Sequence, residues 1–163
     1  MVSVQPTDVG SVWTEVEETS AAGELVIMSS VSLSAGSFVT RDGETWERMP
    51  DLWSLLYDVT FDNGTYCAGA AMYPSARSSD GTTWTRPMLG WPSYGIANRA
   101  GIYYAVSYQG GVFASYDCLD WGPGAEPPLP KYSGSFDFNL RAIRVHKDRL
   151  VLAGNDGAIY TAP

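Results

Sequence analysis

The sequence predicts an all-β chain folded as a propeller of about four four-stranded blades. Three observations carry this prediction: a short motif recurring at constant period, alternating apolar runs separated by turn pairs, and a composition rich in rings and turn formers. The 163 residues include 17 Gly, 10 Pro, 10 Tyr and 6 Trp, with only 17% charged residues. That balance excludes a disordered chain and a coiled coil, and its length suits one domain with a sizeable core.

The motif appears three times, as Thr40-Arg-Asp-Gly-Glu-Thr-Trp46, Ser78-Ser-Asp-Gly-Thr-Thr-Trp84 and Ser115-Tyr-Asp-Cys-Leu-Asp-Trp121. Each has a small hydroxyl residue, a spacer, an Asp and a Trp four positions on. The aspartates Asp42, Asp80 and Asp117 are spaced by 38 and 37 residues. Constant spacing over three matches marks an internal repeat, and this period with four strands per unit is that of a propeller blade.

The strands follow from alternation around the motif. Leu25–Ser30, Thr65–Ala70, Ile102–Ser107 and Leu150–Gly154 read as second strands of successive blades. Before them stand the turns Ala22-Gly23, Asp62-Asn63-Gly64, Arg99-Ala100-Gly101 and the charged His146–Arg149. Runs such as Val12–Thr19, Leu56–Phe61 and Leu140–Val145 supply the innermost strands. Turn pairs of this type between alternating runs are hairpin signals.

These elements predict a single domain over 1–163, with blades at roughly 12–49, 50–87, 88–124 and 132–163. The last unit ends at its final hairpin, so an extended segment at residues 2–5 is expected to supply its outer strand. That latch closes the ring within one chain or joins a second chain into a larger ring. A Pro- and aromatic-rich stretch, 122–138, exceeds the repeat and reads as an inserted loop.

The three motifs resemble Asp-boxes, or BNR repeats, of sialidase-like propellers. Asp42-Gly43 and Asp80-Gly81 match the shortened form, whereas Asp117 is followed by Cys118 in place of Gly, and Asp120 replaces Thr. The motif is expected to close the hairpin between a blade's third and fourth strands. Its Asp accepts turn amides, its Gly permits positive φ, and its Trp packs between blades. The resemblance puts these turns on the face away from the ligand, so Asp42, Trp46, Asp80, Trp84, Asp117 and Trp121 are assigned structural roles.

The opposite face carries the blade connections and the second-to-third loops. It gathers Trp53, Tyr73, Trp91, Tyr94, Tyr108 and Tyr132, which are the candidate binding residues. Rings with few charges suit a protein interface or sugar stacking; packing between blades is the competing role for the same side chains.

Net charge is −8, with Lys131 and Lys147 the only lysines. Phosphate neutralisation needs the opposite balance, so nucleic acid and anionic membranes are not expected partners. No stretch approaches the ~20 apolar residues of a membrane helix, and the N-terminus lacks signal-peptide character. A soluble chain, cytoplasmic or virion-associated, is expected. Cys67 in its apolar run is expected to be a buried reduced thiol, and Cys118 an exposed turn residue, with no disulfide between them.

Enzyme readings find little support. Of the eight arginines, most map to motif turns, outer strands or far-face turns rather than to one axial site. The single histidine, His146, lies in a charged turn, and Asp137 and Asp156 are the only acids expected on the loop face. No metal site or cofactor is expected. The sequence therefore points to a non-catalytic binding or assembly module, of a kind suited to a phage tail or capsid-decorating component. A lectin-like propeller is the alternative and a small glycoside hydrolase the third reading.

Overall fold

A computed structural model describes residues 16–22, 25–30, 37–49, 56–71, 75–86, 92–107, 111–123, 140–154, 157 and 159–162. They form four antiparallel sheets and no α-helix, the all-β propeller expected from the repeat. The first blade runs β1 (Val16–Ala22), β2 (Leu25–Ser30), β3 (Ser37–Thr40) and β4 (Glu47–Met49). In the second, β5 (Leu56–Asp62), β6 (Thr65–Ala70) and β7 (Ala76–Ser78) are followed by a single bridge from Arg77 to Thr85. The third has β8 (Ser93–Arg99), β9 (Ile102–Ser107), β10 (Val112–Ser115) and β11 (Gly122–Pro123). The fourth contains β12 (Leu140–His146), β13 (Arg149–Gly154) and β14 (Ile159–Ala162). Gly122 and Pro123 thus belong to an outer strand rather than to the inserted loop. The rest of that loop and the proposed latch at residues 2–5 lie outside the described residues.

Hairpin chemistry sets the first-to-second strand connections. Asn63 and Gly64 have φ of 45° and 78°, Ala100 and Gly101 of 52° and 79°, and Lys147 and Asp148 of 48° and 58°. Paired positive φ values match the turn to the right-handed strand twist. Ala100, Lys147 and Asp148 adopt this left-handed conformation without glycine's freedom.

The inner strands lie side by side in chain order, β1 beside β5, β5 beside β8 and β8 beside β12. The core lies between blades. One cluster joins Ile27, Val39 and Met49 of the first blade to Leu56, Val59 and Trp84 of the second. Another joins Ala97 and Val106 to Leu140, Ile143 and Leu152 across the third and fourth. Between the second and third blades the cluster contains Cys67, Ile96, Tyr103 and Cys118.

There the cysteine expectation is overturned. Cys67 and Cys118 form a disulfide with Cα atoms 5.9 Å apart, and Cys118 is fully buried. The turn carrying Cys118 folds inward against the second blade, where the Ser75 hydroxyl donates to the Cys118 carbonyl at 2.5 Å. An open turn in sequence is here a wedge between blades.

Candidate functional site

Antiparallel order fixes two faces. The first-to-second turns and the three aspartate turns share one end of the blades, and the starts of the inner strands lie at the other.

At the aspartate end the three turns share one hydrogen-bond plan. Asp42 Oδ1 accepts the amides of Glu44 at 2.8 Å and Thr45 at 2.7 Å, and the Thr40 hydroxyl donates to it at 3.0 Å. Asp80 is held by Thr82, Thr83 and Ser78, and Asp117 by Leu119, Asp120 and Ser115. The hydroxyl that donates to each Asp also accepts the amide of Gly43, Gly81 or Cys118. Donors aimed at a carboxylate favour its ionised form. The Thr45 and Glu44 amides, with the Thr40 hydroxyl, lower the Asp42 pKa to about 2. Asp80 is lowered further by Thr83, Thr82 and Ser78. At Asp117 partial burial pulls upward, but the Asp120 and Leu119 amides, Ser115 and nearby Arg77 outweigh it, and its pKa is also lowered.

The tryptophans that follow pack backward along the ring. Trp84 is buried among first-blade residues, and its Nε1 donates to the Gly81 carbonyl at 3.0 Å. Trp121 is half-buried and donates to Ser75 of the second blade at 2.8 Å. Trp46 is half-buried at the same position in the first blade.

At the loop end, each inner strand begins with a bulge at one register. Pairing skips between Val16 and Glu18, Leu56 and Asp58, Ser93 and Gly95, and Leu140 and Ala142. The bulged residues are therefore Glu17, Tyr57, Tyr94 and Arg141. Bulges re-aim side chains, and those of Tyr57, Tyr94 and Arg141 stand in a row at the loop end of the inner strands. The Tyr57 and Tyr94 ring centroids are 4.8 Å apart, and the Arg141 guanidinium lies 4.3 Å from the Tyr94 centroid. Cation and ring attract in this geometry, most strongly when partly desolvated.

Asp58 supports this row from the next position. It is 4% exposed; its Oδ2 accepts the Ile96 amide of β8 at 2.9 Å and also pairs with Arg144 of β12. One carboxylate thus ties three blades. The third blade has Gly95 at that register, where an added Cβ would lie 2.9 Å from the Ile143 amide nitrogen. The second blade reaches its neighbour through a side chain, and the third by close backbone approach.

Of the predicted loop-face rings, Tyr94 stands in this row. Trp53, Tyr73, Trp91, Tyr108 and Tyr132 lie outside the described residues, as do Asp137 and Asp156. Sequence reasoning missed Tyr57, Asp58, Arg141 and Arg144. Arg141 and Arg144 also depart from the general placement of the arginines, since both sit on an innermost strand. A usable signal existed: Tyr57, Tyr94 and Arg141 each precede by six residues the first left-handed residue of the next turn, Asn63, Ala100 or Lys147.

The repeated blades and the interblade cores define a β-propeller, with an aromatic and cationic row at the loop end of its inner strands. No protein-family model matches the sequence, and no curated protein is significantly similar to it. Among solved structures, the computationally designed Ika4 protein aligns with 97% of this chain and 94% of its own, at 13% identity and TM-score 0.64. YCF48 bound to D1 peptide aligns with 91% of this chain at 17% identity and TM-score 0.56, and the chain spans 48% of it. The GH74 xyloglucanase from Xanthomonas campestris aligns with 86% at 15% identity and TM-score 0.60, with 27% of the enzyme covered. At these identities the likeness is one of fold.

Proposed function

We propose that this chain is a propeller of the Asp-box type acting as a non-catalytic binding module, which takes a protein or peptide segment at the aromatic and cationic row on its loop face. The observation that carries this reading is the tilted Tyr57–Tyr94 ring pair with Arg141 over the Tyr94 ring. Half-buried rings offer contact area at low entropy cost, and the cation beside them suits a carbonyl or carboxylate on a peptide. The aspartates lend themselves to structure, because each is already engaged by two amides and a hydroxyl of its own turn. YCF48 was solved with a peptide bound, which supports a propeller as a peptide-holding scaffold. A virion accessory is one setting for such a module, and specific retention on isolated particles would test it.

The direct test is binding to an array of acidic and aromatic peptides, with Tyr94→Ala and Tyr94→Phe beside the wild type. Tyr94→Ala should weaken binding about tenfold, the loss of one central aromatic contact, with melting unchanged and Tyr94→Phe close to wild type. Peptide binding that ignores Tyr94→Ala removes the row as the site. The lectin reading is favoured by the same ring-and-guanidinium platform, which also suits a sugar. Glycan-array hits without peptide hits would decide for it, and turnover of a xyloglucan or sialoside would decide for an enzyme.

A further inference from the structure

We propose that a second copy of this chain docks head to tail on the fourth blade, seating its β1 beside β12 and closing a ring of two chains. Among the described residues, β12 has no side-by-side packing against β1 comparable to that joining β1 to β5, β5 to β8 and β8 to β12. The inner strands follow one another in order from β1 to β12, and the outer flank of β12 is where the next inner strand belongs.

Exposure at matched registers marks that flank. Tyr57 and Tyr94 are half-buried, while Arg141 at the same bulge is exposed.

Charge identifies the occupant. Four of the ten Lys and Arg residues of this acidic chain fall within 141–149, namely Arg141, Arg144, Lys147 and Arg149. The strand β1 carries Glu17 and Glu18, and Glu17 stands at the bulge register held by Tyr57, Tyr94 and Arg141 in the other blades. A β1 from another copy continues the row Tyr57, Tyr94, Arg141 with a glutamate directly after the arginine. Complementary charge of this kind sets register and partner choice. Two equivalent head-to-tail joints close the ring without leaving an open end.

Light scattering after size exclusion and native mass spectrometry of the whole chain test this. The wild type should run at twice the mass of 17.7 kDa. Arg141→Glu and Glu17→Arg should each weaken association about 100-fold by opposing like charges at both joints. Mixing the two variants should restore a one-to-one pair, because each joint then meets opposite charges. The same-chain double variant should also pair, and it shows that neither single change acts by unfolding. A wild type of one-chain mass at tens of micromolar would overturn the proposal. So would a dimer indifferent to both charge reversals, or failure of both the mixture and the double variant to reassociate.

Discussion

Asp58, on the inner strand of the second blade, pairs with Arg144 on the inner strand of the fourth, across the backbone of the third. The two partners contribute unequally. Asp58 is buried and also serves the Ile96 amide, whereas Arg144 reaches it from a mostly exposed position. Asp58→Ala strands a buried amide and should cost about 2–3 kcal/mol. Arg144→Ala should cost less than about 1 kcal/mol, since water screens the guanidinium. Urea denaturation of both variants checks this, and equal losses would contradict the unequal contribution of the two partners.

Cys118 raises a different stability question. Its φ is 65°, where Gly43 and Gly81 have 78° and 77° at the same point of their turns. The cysteine therefore occupies a position suited to glycine and gains a cross-link spanning 51 residues. Reduction should lower stability by about 2–4 kcal/mol, as expected for a loop of that size. In reductant, Cys118→Gly should be more stable than the reduced wild type by about 1 kcal/mol, because the left-handed penalty is removed. Unfolding of both proteins with a phosphine reductant measures the difference. A less stable glycine variant would show that burial of the thiol outweighs backbone strain.

These two cases also show how far the sequence reached. The aspartate turns were legible because every hydrogen bond in them lies within three residues, so Thr40, Asp42 and Thr45 carry the whole device in one short string. The hairpins were legible for the same reason. The disulfide was not, because Cys67 and Cys118 meet only when the second and third blades stack. The bulge row was hidden by chemistry: Glu17, Tyr57, Tyr94 and Arg141 share a backbone position, yet only the two tyrosines share a side-chain type. At the next register Asp58, Gly95 and Ala142 differ as much, so a repeat search on residue identity passes over the positions that knit the axis.

Trp84 and Trp121 hold equivalent places with unequal burial. Trp84 is 9% exposed in the first interblade core, and Trp121 is half-buried. Trp84→Ala should cost about 3–5 kcal/mol, as for other buried large rings. Trp121→Ala should cost about 2 kcal/mol, within the range of ordinary single substitutions. Tyr116→Ala provides the control, since its ring is 82% exposed and its loss should stay within about 0.5 kcal/mol. Melting and urea curves rank the three. A reversed order of the tryptophans would mean that the Trp121–Ser75 hydrogen bond matters more than ring burial.

Acid should destabilise this protein through the aspartate turns. Asp42 has its pKa lowered from 3.8 to about 2 by the Thr45 and Glu44 amides and the Thr40 hydroxyl, and Asp80 and Asp117 are lowered as well. A carboxylate with a lower pKa folded than unfolded binds fewer protons in the native state. Its stabilisation is fully present above the unfolded pKa and is lost as pH falls toward the folded one. The window for Asp42 therefore runs from about pH 4 down to about pH 2. Melting temperature should be level from pH 7 to pH 5 as far as these groups are concerned, then fall through that window. Asp42→Asn should flatten the decline, because an amide does not titrate there, while lowering stability at pH 7 through loss of the charged acceptor. Carboxyl titration by NMR assigns the groups directly. An Asp42 titrating at its ordinary value near 3.8 would refute the turn as the source of acid sensitivity.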